Sequence, residues 1–174
     1  IGSVITGRIV TRTGKTMIFP SIGLMITTVT LVVFALYAND LSIRQLSLLL
    51  VVNSLTMGSV MGVAQVTVQT AAGPRALGQA ASSVQLSRSV GASLGTATIG
   101  TVLFATLAWR DPEAAALFGA ILQNGHAALE VLAPARRIIA AQEVAFAFSA
   151  AFMTLACFTT IGSLLAWSNP MRRV

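Results

Sequence analysis

Charge is what this sequence has least of. Only 9% of its 174 residues are Asp, Glu, Lys or Arg, against about 25% in an ordinary soluble domain. With 55% hydrophobic residues and a mean hydropathy of +0.83, the chain cannot clothe a water-facing surface and reads as an integral membrane protein in contact with a lipid bilayer. Acids are scarcest, five against eleven cations. The resulting net charge of +6 would suit nucleic acid, but the cations lie in loops and at the C-terminus, not on one amphipathic face interleaved with aromatics, which excludes that partner. The single cysteine, Cys157, allows no internal disulfide and reads as a small packing residue in an apolar run. No Cys/His cluster, P-loop or G-x-S-x-G is present, so the chain reads as a non-enzyme with no metal and no cofactor. The chain starts at Ile1 with seven residues that look like the tail of an apolar helix. No signal peptide fits that start, and the expectation is the C-terminal fragment of a larger protein.

What is present is a set of long apolar runs. A crossing needs roughly 20 apolar residues, and four runs qualify: about 17–38, 46–69, 80–109 and 143–167. The expected fold class is therefore an all-α membrane bundle of four full transmembrane helices plus the stub at 1–7. Between the third and fourth spans lies a loop over 110–142. Asp111-Pro112-Glu113 starts a helix there with an N-cap, a proline in the first turn and an acid, and Asn124-Gly125 stops it. That piece is too short to cross and is expected to cap the bundle or lie at the interface.

Connector charge sets an orientation. Arg8, Arg12 and Lys15 give the loop over 7–16 a charge of +3. Asp40 and Arg44 cancel, Arg75 stands alone, three arginines balance three acids in the 110–142 loop, and Arg172 and Arg173 end the chain. Positive and neutral connections alternate, as the positive-inside rule asks, which places the C-terminus in the cytoplasm.

The spans differ in polar content. The first and last hold only Ser and Thr in their interiors, which can bond back to their own helix, and both read as peripheral and lipid-facing. The second contains Asn53, Gln65 and Gln69, and the third contains Gln85 and Arg88. Such side chains are costly in hydrocarbon and face a bundle interior or a wet cavity, so the middle two spans should line something. Gln65 and Gln69 share a helix face, as do Gln85, Arg88 and Ser89. Gly58-x-x-x-Gly62 and Gly91-x-x-x-Gly95 are small-residue pairs suited to close helix packing. Arg88 lies roughly 13 Å along its helix from Gln79. It is either a structural arginine that snorkels or caps carbonyls, or a cavity-facing cation that meets substrate or a carboxylate. Met57 and Met61 could soften a cavity wall, and His126 reads as solvated. No acid lies in the middle of a span.

The loop Gly7-Arg8-Ile9-Val10-Thr11-Arg12-Thr13-Gly14-Lys15 resembles cytoplasmic motif A of the major facilitator superfamily, with Gly7, Arg12, Gly14 and Lys15 matching and Thr11 where the motif carries an acid. The tract Gln85-Leu86-Ser87-Arg88-Ser89-Val90-Gly91-Ala92-Ser93-Leu94-Gly95-Thr96-Ala97 is similar to the penultimate helix of the fourteen-span drug:proton antiporters of that superfamily. The resemblance implies that the four spans are helices eleven to fourteen, the C-terminal part of a multidrug efflux transporter whose N-terminal half is a further partner. It implies proton-driven export of hydrophobic, often cationic compounds by alternating access in the bacterial inner membrane. Asn53, Gln65, Gln69, Gln85 and Arg88 would then line the route, and Gly7, Arg8, Arg12, Gly14 and Lys15 would hold a cytoplasmic gate. The coupling carboxylate would lie elsewhere. A transporter of sugars, organic acids or siderophores, and a non-transporting membrane subunit, remain the alternatives.

Overall fold

A computed structural model describes residues 18–37, 40–125 and 134–168. All regular structure among them is helical: α1 (Ile18–Tyr37), α2 (Ile43–Ala72), α3 (Leu77–Arg110), α4 (Pro112–Asn124) and α5 (Pro134–Ser168), with one 3₁₀ turn at Pro74–Ala76. Four of these helices are long and apolar enough to cross a membrane. The motif-A-like loop, the N-terminal stub, His126 and the basic tail lie outside the described residues.

The helix ends follow local chemistry. Tyr37 O closes α1 by accepting from the amides of Asp40 and Leu41 at 3.0 and 3.1 Å. Ser42 then opens α2 with a full capping box: its backbone N–H donates to Gln45 Oε1 at 2.9 Å, and its hydroxyl accepts from the Gln45 amide. Gly73 ends α2 at φ +73, a conformation that L side chains rarely adopt, and Pro74 prevents continuation. Asp111 caps α4, its carboxylate accepting from the Ala114 amide at 3.0 Å, with Pro112 in the first turn. Gly125 stops that helix.

The helices overrun the apolar segments that announce them. α2 starts at Ile43, where the capping box sits, not at 46, and α5 starts at Pro134, not at 143. At 34 and 35 residues, α3 and α5 are each about 50 Å long, against a hydrocarbon core of about 30 Å. Helix α4 packs against the Arg110 end of α3. There Leu103, Leu107, Ala114, Ala140, Ala147 and Ala151 form a buried cluster, with Phe118 of α4 against Phe104 of α3 and Phe148 of α5. This is the cap expected of the short helix.

Helix α1 packs most extensively on α5 and next on α2, while α3 meets α5, α2 and α4. The α1–α2 crossing is close at Gly23, where a Cβ would fall 2.5 Å from Val60 Cγ2 and 3.4 Å from the Thr56 carbonyl. The Thr27 and Thr56 hydroxyls meet across it at 3.4 Å, and Thr28 Oγ1 donates to Thr159 Oγ1 of α5 at 2.9 Å. Ser and Thr hydroxyls also bond back within their helices as expected, Thr30 to Ile26 O at 2.9 Å and Thr160 to Ala156 O at 2.7 Å.

Two readings need correction. Helix α1 is not peripheral within this bundle: 44% of its span is buried, against 6% for α2 and 11% for α3. The buried hydroxyls have partners, Thr30 on its own helix at the Ile26 carbonyl and Thr27 across the contact at Thr56, so they pack without an unsatisfied polar group. Cys157 is exposed rather than packed.

Candidate functional site: the uncovered faces of α2 and α3

Helix α2 has two unlike sides. Thr56, Val60, Val63 and Thr67 recur every three or four residues, and the last two are buried. Val60 and Thr56 touch α1, so this is the side turned to α1. Met61, Gln65 and Gln69 each stand two residues from Val63 or Thr67, roughly 200° around the helix. They form a stripe on the opposite side, with both glutamines half-buried. Arg88 of α3 reaches this stripe: its Nη2 donates to Met61 Sδ at 3.2 Å. The structure thus brings Arg88 one helical turn from Gln65.

Asn53 stands apart. It precedes Gln65 by twelve residues, about 18 Å along the axis and about 120° around it. Its Oδ1 is buried without a hydrogen-bond partner among the described residues, and its backbone carbonyl accepts from Thr56 Oγ1 at 2.9 Å. A buried amide oxygen without a partner among the described residues is a polar group that calls for an explanation.

On α3, Gln85 and Arg88 belong to a run of ten residues, 85 to 94, every one of them exposed. The run lies well inside a 34-residue helix, and its one hydrogen bond to another helix among the described residues is that of Arg88 to Met61. A Cβ added at Gly58, Gly91 or Gly95 would meet nothing within 4 Å, so these glycines serve no close packing inside the described bundle. The close approach is made by Gly23, which no sequence motif announces.

Charges gather at the far end of α3. Arg136 of α5 pairs with Asp111 (Nη1 to Oδ2, 2.7 Å) and with Glu113 (3.0 Å), and Arg110 pairs with Glu143. The Asp111 carboxyl is lowered from an ordinary 3.8 to about 2, first by the Arg136 hydrogen bond and then by the Ala114 amide. This knot is invisible in the net charge of the 110–142 loop, where three arginines and three acids sum to zero, and it also recruits Glu143 from beyond that loop. Among the described residues no group of three His, Cys, Asp or Glu is arranged to hold a metal ion.

No protein-family model matches the chain, and no curated protein or solved structure does either. The described residues form an all-α, multi-span helical bundle with four helices long and apolar enough to cross a membrane. Among the described residues, a charged cap lies at one end and exposed polar side chains lie on α3, with Arg88 reaching Met61 of α2.

Proposed function

We propose that the chain forms part of an alternating-access transporter whose substrate path runs along the α2–α3 face. The observation that carries this reading is the side-by-side placement of Arg88, Met61 and Gln65 on a face that α1 and α5 leave open. Polar side chains at mid-span are costly in lipid and repay that cost at an interior wall. The α1–α5 pair, drier and more closely packed, backs the wall. Gln85 and Gln69 extend it, and Asn53 adds a polar group on its α1 side.

Within that scheme the protein is a proton-coupled exporter of hydrophobic and cationic compounds in a bacterial inner membrane, with the C-terminus in the cytoplasm. Its resemblance to the fourteen-span drug:proton antiporters, on the basic loop and the Gln85–Ala97 tract, supports this class. A soft thioether at the wall suits varied apolar substrates. The same-fold transporter of organic acids is favoured by one observation, that no described carboxylate pairs with Arg88. Ethidium accumulation in cells expressing the complete protein separates the two. The exporter lowers it, and a protonophore abolishes the effect; unchanged ethidium together with uptake or release of an organic anion supports the second reading.

A further inference from the structure

Arg88 lies eleven residues into α3, about 16 Å from its start at Leu77, and twenty-two residues, about 33 Å, short of Arg110. The chain holds five acids: Asp40, Asp111, Glu113, Glu130 and Glu143. Asp111, Glu113 and Glu143 are held at the Arg110 end of the bundle by Arg136 and Arg110. Asp40 sits at that same end, because α2 runs from it down to the Gly73 turn that starts α3. Among the described residues, none pairs with Arg88. The guanidinium offers five N–H donors, and its one polar contact among the described residues is a thioether, a weak acceptor. A membrane-embedded cation left in this state is expensive, and the ordinary resolution is an acid at the same depth.

The surface around it fits a helix. Residues 85–94 are all exposed among the described residues, and Gly91 and Gly95, one turn apart, have open space where a Cβ would stand. Small residues at that spacing let a second backbone come close. Resting on the reading of this face as interior, we infer that α3 between Gln85 and Gly95 docks a further transmembrane helix, from outside residues 1–174, that sets a carboxylate against Arg88. A second copy of this chain does not meet the requirement. A two-fold contact would bring Arg88 toward its twin and add no mid-span acid. A lipid phosphate stays at headgroup depth. The pair also reconciles the arginine with cationic substrates: the wall is neutral when the pair is closed, and protonating the acid frees the guanidinium.

The test uses the complete protein in membranes, treated at about pH 8 with dicyclohexylcarbodiimide, which adds to protonated carboxyls in apolar surroundings. Arg88→Gln removes the counter-charge and raises the acid's proton affinity by one unit or more, so the adduct on one mid-span Asp or Glu should rise about tenfold or more by peptide mass spectrometry. Arg88→Lys should stay close to the native level. Equal adduct in native and Arg88→Gln proteins, or no adduct on any mid-span acid, overturns the pair. A second measurement keeps Arg88 in place: with Cys157→Ser as background, Ala92→Cys should cross-link through a short bis-maleimide to cysteines on one other transmembrane segment. Cross-links only between two copies at position 92, or none at all, overturn the docked helix. Adduct gain with no ethidium efflux would defeat the exporter reading and leave the pair standing; efflux without adduct gain would do the reverse.

Discussion

Arg110 and Glu143 close a two-pronged ion pair between the last turn of α3 and α5, with Nη2 donating to Oε1 at 3.2 Å and Nε to the other oxygen. The same guanidinium lies 4.1 Å above the Phe146 ring. One side chain therefore fixes the axial register of α3 against α5. Planarity is required for both contacts, which lysine lacks. Arg110→Lys should lower the thermal midpoint of the detergent-solubilised protein by about 2–4 °C, the scale of a small stability change in a domain of this size. Glu143→Gln should act similarly, and the double variant should lose less than the sum. Additive losses would mean the two residues act separately.

Acid dependence follows from Asp111. Its carboxyl is lowered to about 2 by Arg136 and the Ala114 amide. A depressed folded-state value means that the stabilisation is complete above the unfolded value near 3.8 and disappears as pH falls from there to about 2. The midpoint of the native protein should therefore fall between about pH 4 and pH 2 by more than that of Arg136→Gln, in which the principal cause of the shift is gone. Parallel curves for the two proteins would remove Arg136 as the cause.

The elements were legible because each rests on strong local chemistry. Asp111-Pro112 and Asn124-Gly125 gave both ends of α4, and four apolar runs gave the spanning helices. Helix ends were less legible: hydropathy marks where lipid stops, whereas Ser42 and Gln45 determine where hydrogen bonding starts. The enclosure of α1 was not legible at all. Its composition matches a lipid-facing helix, and only Gly23, one glycine among fourteen, permits the close α2 contact. Polar content singled out α2 and α3 as helices that line an interior, whereas Gln85 and Arg88 are exposed among the described residues; it also grouped Asn53 with Gln65, which the helical turn places on different sides.

Gly23 should tolerate almost nothing. Gly23→Ala puts a methyl 2.5 Å from Val60 Cγ2, so α1 and α2 must separate or Val60 must change rotamer. Overpacking of this kind costs about 1–3 kcal/mol. Val60→Ala in the same protein should restore most of the loss, because it removes the opposing methyl groups. Failure of that rescue would locate the strain at the Thr56 carbonyl, 3.4 Å away, which no side-chain change can move.

Asn53→Leu separates fold from function. The buried Oδ1 has no partner among the described residues, and removing an unsatisfied polar group at similar volume is close to neutral or stabilising. The midpoint should hold or rise while export falls, if the amide serves the path. A large loss of stability would instead show that the oxygen is satisfied in the complete protein and that Asn53 is structural.

Gly78 and Gly91 make the last comparison, because both lie in α3 with open space where a Cβ would stand. Alanine is favoured over glycine in a helix interior by up to about 1 kcal/mol. Gly78→Ala, next to the Arg75 turn, should therefore leave the complete protein unchanged or slightly more stable. Gly91→Ala should do the opposite if a further helix packs there, since its methyl would enter that interface at a cost of about 1–3 kcal/mol. Each variant adds one methyl to the same helix, so a difference in sign isolates the neighbour. Equal and mildly favourable shifts in thermal midpoint would mean that the Gly91 face meets only lipid or water.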